Sequence, residues 1–155
     1  VIYSQILKFF KKQGSIVSQK GSVFNEAVLY NIILENKLNE QKLEKILEIC
    51  LLNKLYDNKG NINEFYTRNI SKLSGGEFQR VLMARSLYKG SEILIIDEGL
   101  NQLDIQNEKD LLKNLSNLGI TVLMVYHRIS KVKYFDKIYK LVDQKLMEIN
   151  DNKHK

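Results

Sequence analysis

The sequence lacks proline altogether, contains one cysteine and has no long apolar run. The single cysteine, Cys50, excludes an internal disulfide. Its position after Leu47 on an apolar helical stripe predicts a small core residue with an inert thiol rather than a nucleophile. No apolar stretch approaches the ~20 residues that span a bilayer, and no signal peptide is recognisable. The chain begins at Val1 rather than at methionine, so we expect a fragment.

Three kinds of catalytic motif are also missing. The phosphate-binding pattern G-x-x-x-x-G-K-[ST] does not occur between Val1 and Lys155. Ser74 lies in K-L-S-G-G rather than in the G-x-S-x-G nucleophile elbow, which argues against a serine hydrolase. No cysteine–histidine set has the spacing of a metal site, and His154 lies in the polar tail.

The bulk composition is that of a soluble globular protein with one domain. The chain has 155 residues, of which 44% are hydrophobic and 27% are charged. Its net charge of +6 is of the sign that attracts nucleic acid or an anionic membrane. The lysines are nevertheless scattered along the expected helices, as on a solvated face, so no nucleic-acid partner is expected.

Apolar patterning predicts strands that alternate with helices. Continuous apolar runs predict buried strands at residues 15–18, 93–96 and 120–126, of which 93–96 is expected to be covered on both faces. Helical spacing predicts helices at residues 24–34, 39–51, 78–88 and 104–118, and an amphipathic basic segment at 2–12. Asn39 and Asp104 are the expected helix caps, and Gly90 and Gly119 the expected stops. A helical turn near residues 130–135 and a terminal hairpin, 137–141 with 145–149, complete the prediction.

This alternation predicts an α/β fold with a mainly parallel sheet, because right-handed crossovers place successive strands side by side. Residues up to about Asn69 form a helical insertion after the first strand. Ligands of parallel sheets bind at the carboxyl ends of the strands. The residues at those ends are therefore the first candidates for function.

A glycine-rich segment is the first candidate site. Ser74, Gly75 and Gly76 place backbone N–H groups at the start of the helix that follows, where the helix dipole favours an anion such as phosphate. The alternative is a simple helix cap, in which Glu77 completes a capping box with Ser74.

Two adjacent carboxylates form the second candidate. Asp97 and Glu98 follow the apolar run at 93–96. A carboxylate at Asp97 can hold Mg²⁺ through water, and Glu98 can orient and deprotonate an attacking water. His127 ends the next strand and Gln19 the earlier one, so both reach the same edge if the strands are parallel. An imidazole there can hydrogen-bond a transferring phosphoryl group.

These motifs together resemble those of ABC transporter ATPases. V-S-Q at 17–19 resembles the Q-loop, L-S-G-G-E-F-Q-R at 73–80 the signature, and I-L-I-I-D-E at 93–98 the Walker B strand with its catalytic glutamate. N-Q-L-D at 101–104 is similar to the D-loop, which ends at Asp104, and V-Y-H-R at 125–128 to the H-switch. The phrase Y-H-R-I-S and the Phe24-Asn25 pair most resemble exporters.

The resemblance implies the C-terminal part of a P-loop NTPase fold of the ABC type, without its Walker A loop. It divides the chain into the Q-loop end of the ATPase core at 1–23, a helical subdomain at 24–69, and the remaining core at 70–155. It implies ATP and Mg²⁺ as cofactors, with Gln19 and Asp97 as the magnesium and phosphate-sensing residues and Glu98 and His127 as the catalytic pair.

The resemblance also implies partners. Two ATPase subunits bind two ATP molecules head to tail, so that Ser74, Gly75, Gly76 and Glu77 contact the nucleotide of the other subunit. A transmembrane domain, expected to be fused upstream, places the ATPase at the cytoplasmic face of a cell membrane. Gln19 and the surface near Phe24 sense that domain. The 155 residues alone are expected to be inactive, because they lack Walker A.

Two alternatives stay open. One is a chromosome- or repair-type ABC ATPase that acts on DNA, although such proteins insert long coiled coils and only short helices are expected here. The other is a non-catalytic partner that supplies its signature to a second subunit, against which stand the intact Asp97, Glu98 and His127.

Overall fold

The computed structural model describes residues 13–18, 21–57, 62–97, 100, 103–125 and 133–149. The basic segment predicted at residues 2–12 and the first half of the helical turn predicted at 130–135 lie outside them, while residues 133–134 within that turn have 3-10 helical conformation. The chain divides into two compact units, Val1–Val125 and Tyr126–Lys155.

The first unit holds a parallel sheet of three strands in the order β1-β2-β3. The strands are β1 (Gly14–Ser18), β2 (Ile93–Asp97) and β3 (Thr121–Val125). Helices α1 (Val28–Ile33), α2 (Glu40–Ile49), α3 (Lys54–Asp57) and α4 (Ile62–Thr67), with a 3-10 turn (Ile70–Lys72), follow β1. Helix α5 (Gly75–Lys89) leads into β2, and α6 (Ile105–Ser116) connects β2 to β3. The predicted α/β fold with a mainly parallel sheet is confirmed.

The registers of the β1–β2 and β2–β3 pairs are in phase, which means that residues of all three strands lie side by side at each level of the sheet. Gly14, Ile93 and Thr121 pair at one end, and Ser18, Asp97 and Val125 pair at the other. All three strands therefore end in one row, which we name the carboxyl edge. Because side chains alternate between the faces of a sheet, the residues of each strand divide between its two faces.

Burial of the sheet differs from the prediction. Val17, Leu94 and Ile96 on one face are buried. On the other face Ile16 is 60% exposed and Leu123 is 58% exposed. The prediction that 120–126 forms a buried strand is therefore wrong in burial, as is full cover of 93–96 on both faces. The reason is that the described helices do not pack on this second face. An apolar strand sequence shows that the strand favours burial, but it does not show whether another element packs against it.

The helix predicted at residues 24–34 begins only at Val28, so that prediction is wrong at its start. The side chain of Asn31 accepts a hydrogen bond from the Phe24 N–H at 3.0 Å and donates to the Phe24 carbonyl at 3.0 Å. It also donates to the Ala27 carbonyl at 3.1 Å. Because an asparagine that binds the backbone locally competes with helical hydrogen bonds, residues 24–27 form a loop instead.

Helix α2 follows its predicted pattern. The Asn39 side chain accepts from the Lys42 N–H at 2.9 Å, which confirms the predicted cap. Leu43, Leu47 and Cys50 on the apolar stripe are all buried. The expected core position of Cys50 is confirmed, and burial raises the pKa of its thiol to about 12, which disfavours the thiolate at neutral pH.

Tyr88 joins the end of α5 to the start of α2. This buried tyrosine donates its hydroxyl proton to the Lys37 carbonyl at 2.8 Å and accepts from the Asn39 N–H at 2.7 Å. The ammonium of Lys42 donates to the Tyr88 carbonyl at 2.7 Å and lies 4.9 Å from the ring centroid. One side chain therefore satisfies two backbone groups that flank the α2 cap.

Replacing Tyr88 with phenylalanine is expected to lower the free energy of unfolding by about 1–2 kcal/mol, since it removes the two hydrogen bonds that the hydroxyl makes with the Asn39 N–H and the Lys37 carbonyl. Urea denaturation followed by circular dichroism measures the change. Tyr139→Phe is the matched control, because Tyr139 is 48% exposed. Equal stability of the two variants would contradict the role given to the Tyr88 hydroxyl.

The described part of the second unit contains a hairpin of β4 (Tyr139–Val142) and β5 (Lys145–Glu148), paired antiparallel. Its two turn residues, Asp143 and Gln144, have positive φ values of 47° and 62°. Two consecutive left-handed residues are the mark of a type I′ turn, whose twist suits a two-residue hairpin. The predicted hairpin is confirmed, with strand ends shifted by one or two residues.

Candidate functional site

The carboxyl edge carries one acidic group that the structure describes. Asp97 is exposed at the end of β2, between Ser18 of β1 and Val125 of β3. Of the other residues predicted for this edge, Gln19 follows Ser18 in the sequence and Glu98 follows Asp97. Gln19, Glu98 and His127 lie outside the described residues, so their predicted places stay predictions.

Helix α5 begins at Gly75, three residues earlier than predicted, so both glycines lie in its first turn. Ser74 is the cap: its hydroxyl accepts from the Glu77 N–H at 3.4 Å, and the Glu77 carboxylate accepts from the Ser74 N–H at 2.8 Å. This is the capping box that the sequence offered as the alternative to an anion site. Gly90, with φ 84°, ends the helix in the left-handed conformation that glycine favours.

The capping box does not use every N–H group at the start of α5. It occupies those of Ser74 and Glu77, and the Phe78 N–H donates to the Ser74 carbonyl at 2.8 Å. The N–H groups of Gly75 and Gly76 donate to no other residue within the described ranges. The cap and an anion site are therefore compatible as far as the described residues go, because the cap itself leaves the N–H groups of exposed Gly75 and buried Gly76 unused at a positive helix end.

A buried polar pair lies one turn behind this helix end. Gln79 is 2% exposed and Arg80 is 7% exposed. The Gln79 Oε1 and the Arg80 Nε have no hydrogen-bond partner among the described residues. Burial lowers the pKa of Arg80, while the charge of Glu77 acts against that shift. Sequence reasoning missed the pair, since a glutamine and an arginine on a helix are normally solvated.

Asp104 caps α6, as predicted. Its carboxylate accepts from the Gln106 N–H at 3.0 Å and from the Asn107 N–H at 2.9 Å, and from the Asn107 side chain. The hydrogen bond from the Asn107 backbone is the main reason that the pKa of Asp104 lies below its usual range. Helix α6 ends at Ser116, two residues before the prediction, and Gly119 follows with φ 67°.

The fit of a metal ion depends on which metal is considered. No group of three or more histidine, cysteine, aspartate or glutamate side chains in the described ranges has metal-site geometry. Zinc and calcium sites need several protein ligands, whereas Mg²⁺ keeps much of its water and uses one or two carboxylates together with phosphates. A single exposed carboxylate at Asp97 fits Mg²⁺ that arrives with a nucleotide. No helix among residues that the structure describes is long and apolar enough to cross a membrane.

Comparison with known proteins gives a consistent family. A sequence-family model described as ABC transporter matches residues 2–101. The ATP-dependent lipid A-core flippase of Pseudoalteromonas translucida (strain TAC 125) is 31% identical over 147 residues, which are 92% of this chain and 25% of the flippase. The alpha-hemolysin translocation ATP-binding protein HlyB of Escherichia coli is 31% identical over 153 residues, which are 95% of this chain and 21% of HlyB.

The fold has a solved counterpart in a bacterial Atm1-family ABC exporter with ATP bound. The two superpose with a TM-score of 0.73 at 28% identity, over 85% of this chain and 24% of the exporter chain. The chain thus spans about a quarter of the length of the relatives that it matches, 21% to 25% of each. The described α/β core, with its parallel sheet and helical part, is consistent with part of an ABC ATPase fold. With the family model matching residues 2–101 of 155, the chain belongs to the ABC transporter family.

Proposed function

We propose that this chain is the signature-bearing part of the ATPase of an ABC exporter, and that the complete protein uses ATP hydrolysis to drive export across a membrane. The observation that carries the proposal is the in-phase parallel register, which brings Asp97 to the carboxyl edge directly before Glu98 in the sequence. Relatives named as a flippase and as a translocation ATP-binding protein support the exporter assignment.

Residues 74–77 contact ATP that is bound chiefly by a second subunit. Two features support this role. The Gly75 and Gly76 N–H groups are unused within the described ranges and sit at the positive end of a 15-residue helix. The carboxylate of Glu77 is held by the Ser74 N–H, so the box fixes the loop without occupying the two glycine amides. Glycine is suited to this place because it lets the backbone come close to a phosphate.

The residues of the carboxyl edge divide the hydrolytic work. Asp97 and Gln19 hold Mg²⁺, partly through water, and the ion offsets negative charge on the phosphates when bound. Glu98 orients the attacking water and accepts its proton. His127 donates a hydrogen bond to the transferring phosphoryl group. Asp104, six residues after Glu98 in the sequence, caps helix α6 and so fixes where that helix begins.

The proposed assembly has two ATPase subunits arranged head to tail and a transmembrane domain fused upstream, at the cytoplasmic face of a cell membrane. Within it, residues 1–23 end the Q-loop part of the core, 24–69 form the helical subdomain and 70–155 complete the core. The longest described helix has 15 residues, which favours the exporter over a DNA-acting ATPase with long coiled coils. No nucleic-acid partner is proposed.

Replacing Asp97 with asparagine in the complete protein is expected to remove most of the advantage that Mg²⁺ gives to ATP binding. The amide keeps the size of the carboxylate but loses the charge that attracts the cation. We expect the ratio of ATP affinities with Mg²⁺ and with EDTA to fall about tenfold, which corresponds to about 1.4 kcal/mol. Titration of the protein with ATP under both conditions measures this ratio.

Asp110→Asn is the control for this experiment. Asp110 is a partly exposed residue of helix α6, and its carboxylate lies 3.3 Å from the ammonium of Lys54. The control should bind like the wild type. The 155-residue chain serves as the negative control for ATP turnover, since it has no phosphate loop. An unchanged ratio in Asp97→Asn would remove Asp97 from the magnesium site.

A further inference from the structure

A fixed negative charge lies in the first turn of α5, next to the two glycine amides. The Glu77 carboxylate accepts from the Ser74 N–H at 2.8 Å, so the capping box holds this charge at the end of the helix. Gly75 and Gly76 directly precede Glu77 in the same turn. Like charges repel over several ångströms. An anion that approaches the two amides therefore meets a carboxylate that opposes its binding.

A buried positive charge lies about one turn later on the same helix. Arg80 follows Glu77 by three residues in α5, and residues at this spacing are neighbours on a helix, with Cβ atoms about 5–6 Å apart. Arg80 is 7% exposed, and no carboxylate among the described residues forms an ion pair with it. A guanidinium keeps its proton in proteins. The charge of Arg80 therefore acts from a place where water screens it weakly.

The surroundings of Arg80 include two carboxylates that are held at helix starts. Burial lowers the pKa of Arg80, and the negative charges of Glu77 and, to a smaller extent, Asp104 act against that shift. Asp104 is fixed as the cap of α6. A buried cation without a direct ion partner costs free energy of folding. Within the described ranges no ion pair offsets that cost, so stability alone gives no account of Arg80.

We propose that Arg80 is a positioning residue for a nucleotide phosphate, because its charge offsets that of Glu77 and lets the Gly75 and Gly76 amides bind an anion beside a carboxylate. This inference rests on the proposed function, in which those amides contact ATP. Arg80 touches no reacting atom. It acts through the electrostatic potential at the start of α5, to which Glu77 contributes with the opposite sign.

The first arm of the test removes the charge of Glu77 in the complete protein. Glutamine completes the same capping box, so Glu77→Gln keeps the hydrogen bond to Ser74 and loses only the charge. We expect kcat/KM for ATP hydrolysis to rise about threefold, since the charge of Arg80 is then unopposed. Glu40→Gln is the matched control, because Glu40 is an exposed acid in the first turn of α2, and it should equal the wild type. An unchanged or lower kcat/KM in Glu77→Gln overturns the proposal.

The second arm changes Arg80 in the same protein. Arg80→Met keeps an unbranched side chain without charge, and it is expected to lower kcat/KM about tenfold. Arg80→Lys keeps the charge and loses the planar fork, so its kcat/KM should stay within about threefold of the wild type. Adding Glu77→Gln to Arg80→Met should recover much of the loss. Equal losses in the lysine and methionine variants, or no recovery in the double variant, would overturn a role for the charge.

Thermal unfolding and ATP titration of every variant show whether the subunit folds and fills its own nucleotide site. If Arg80→Met does not fold, the comparison of Glu77→Gln and Arg80→Lys with the wild type decides the matter. A rise in the first together with near-normal hydrolysis in the second supports the proposal, and any other pair of results overturns it. A wild-type protein that hydrolyses ATP but does not respond to Glu77→Gln overturns only the role of Arg80. A wild-type protein without ATP hydrolysis overturns the proposed function, and with it this role.

Discussion

Glutamine at position 98 of the complete protein is expected to stop steady ATP turnover while ATP still binds. Glu98 follows Asp97 in the sequence, and Asp97 is the last residue of β2. The amide keeps the shape of the carboxylate but cannot accept a proton from the attacking water. Loss of a general base lowers turnover by roughly a hundredfold or more. Steady-state ATPase rates and ATP titrations on the same preparation separate catalysis from binding.

Glu92→Gln is the matched control for this change. Glu92 precedes the other end of β2, it is exposed, and the substitution is chemically the same. Its turnover should equal that of the wild type. Near-normal turnover in Glu98→Gln would reassign the base, with His127 as the next candidate. Absence of turnover in the wild type would favour the non-catalytic partner that lends its signature to another subunit.

Aspartate at position 75 is expected to abolish transport without unfolding the subunit or emptying its own nucleotide site. Gly75 is the exposed first residue of α5, where an acidic side chain suits the helix dipole, so the fold should tolerate it. The new carboxylate nevertheless occupies the place that meets a phosphate, and like charges repel there. A side chain also blocks the close approach that glycine permits.

Gly75→Asn isolates the charge in this experiment, because asparagine has nearly the shape of aspartate and no charge. Transport should fall less in Gly75→Asn than in Gly75→Asp. Thermal unfolding and ATP titration of each variant show whether the fold and the subunit's own nucleotide site persist. Normal transport by Gly75→Asp would remove the amides of residues 75 and 76 from the reaction.

Much of the fold was predictable because local chemistry decides it. Side-chain caps such as Asn39, Ser74 and Asp104 act on N–H groups two or three residues away, and all three were recognisable from the sequence. The left-handed stop at Gly90 is equally local. The β4–β5 hairpin also follows from its turn, whose two residues set the register of the strands.

Features that depend on distant parts of the chain were not predictable. The apolar spacing from Phe24 to Leu34 suggests a continuous helix, yet Asn31 binds the backbone of residues 24–27 and Arg85 binds Asn31 from a helix 54 positions away. Leu123 is apolar but 58% exposed, since burial of a strand depends on what covers it. Conversely, Gln79 and Arg80 are polar but buried, because other elements of the fold pack over them.

The candidate site was predicted as a set of motifs, and the structure describes part of it. It places Asp97 at the carboxyl edge and Ser74 to Glu77 at the start of α5. The capping box and the anion site looked like alternatives in sequence, because the pattern of residues does not show which N–H groups the cap uses. The geometry shows that the capping box leaves the N–H groups of Gly75 and Gly76 without a partner among the residues that the structure describes.

The most direct measurement is the ATPase rate of covalently linked dimers that carry Gly75→Asp and Glu98→Gln in defined subunits. If the signature acts on the partner's nucleotide, the two lesions on opposite subunits fall in one site and leave the other intact. On the same subunit they fall in different sites and damage both. Dimers with a single lesion set the rate of one intact site. We predict a rate near that level for the opposite arrangement and a much lower rate for the same-subunit arrangement. Equal rates, or the reverse order, would contradict the account and return Ser74 to Gly76 to the role of a plain helix cap.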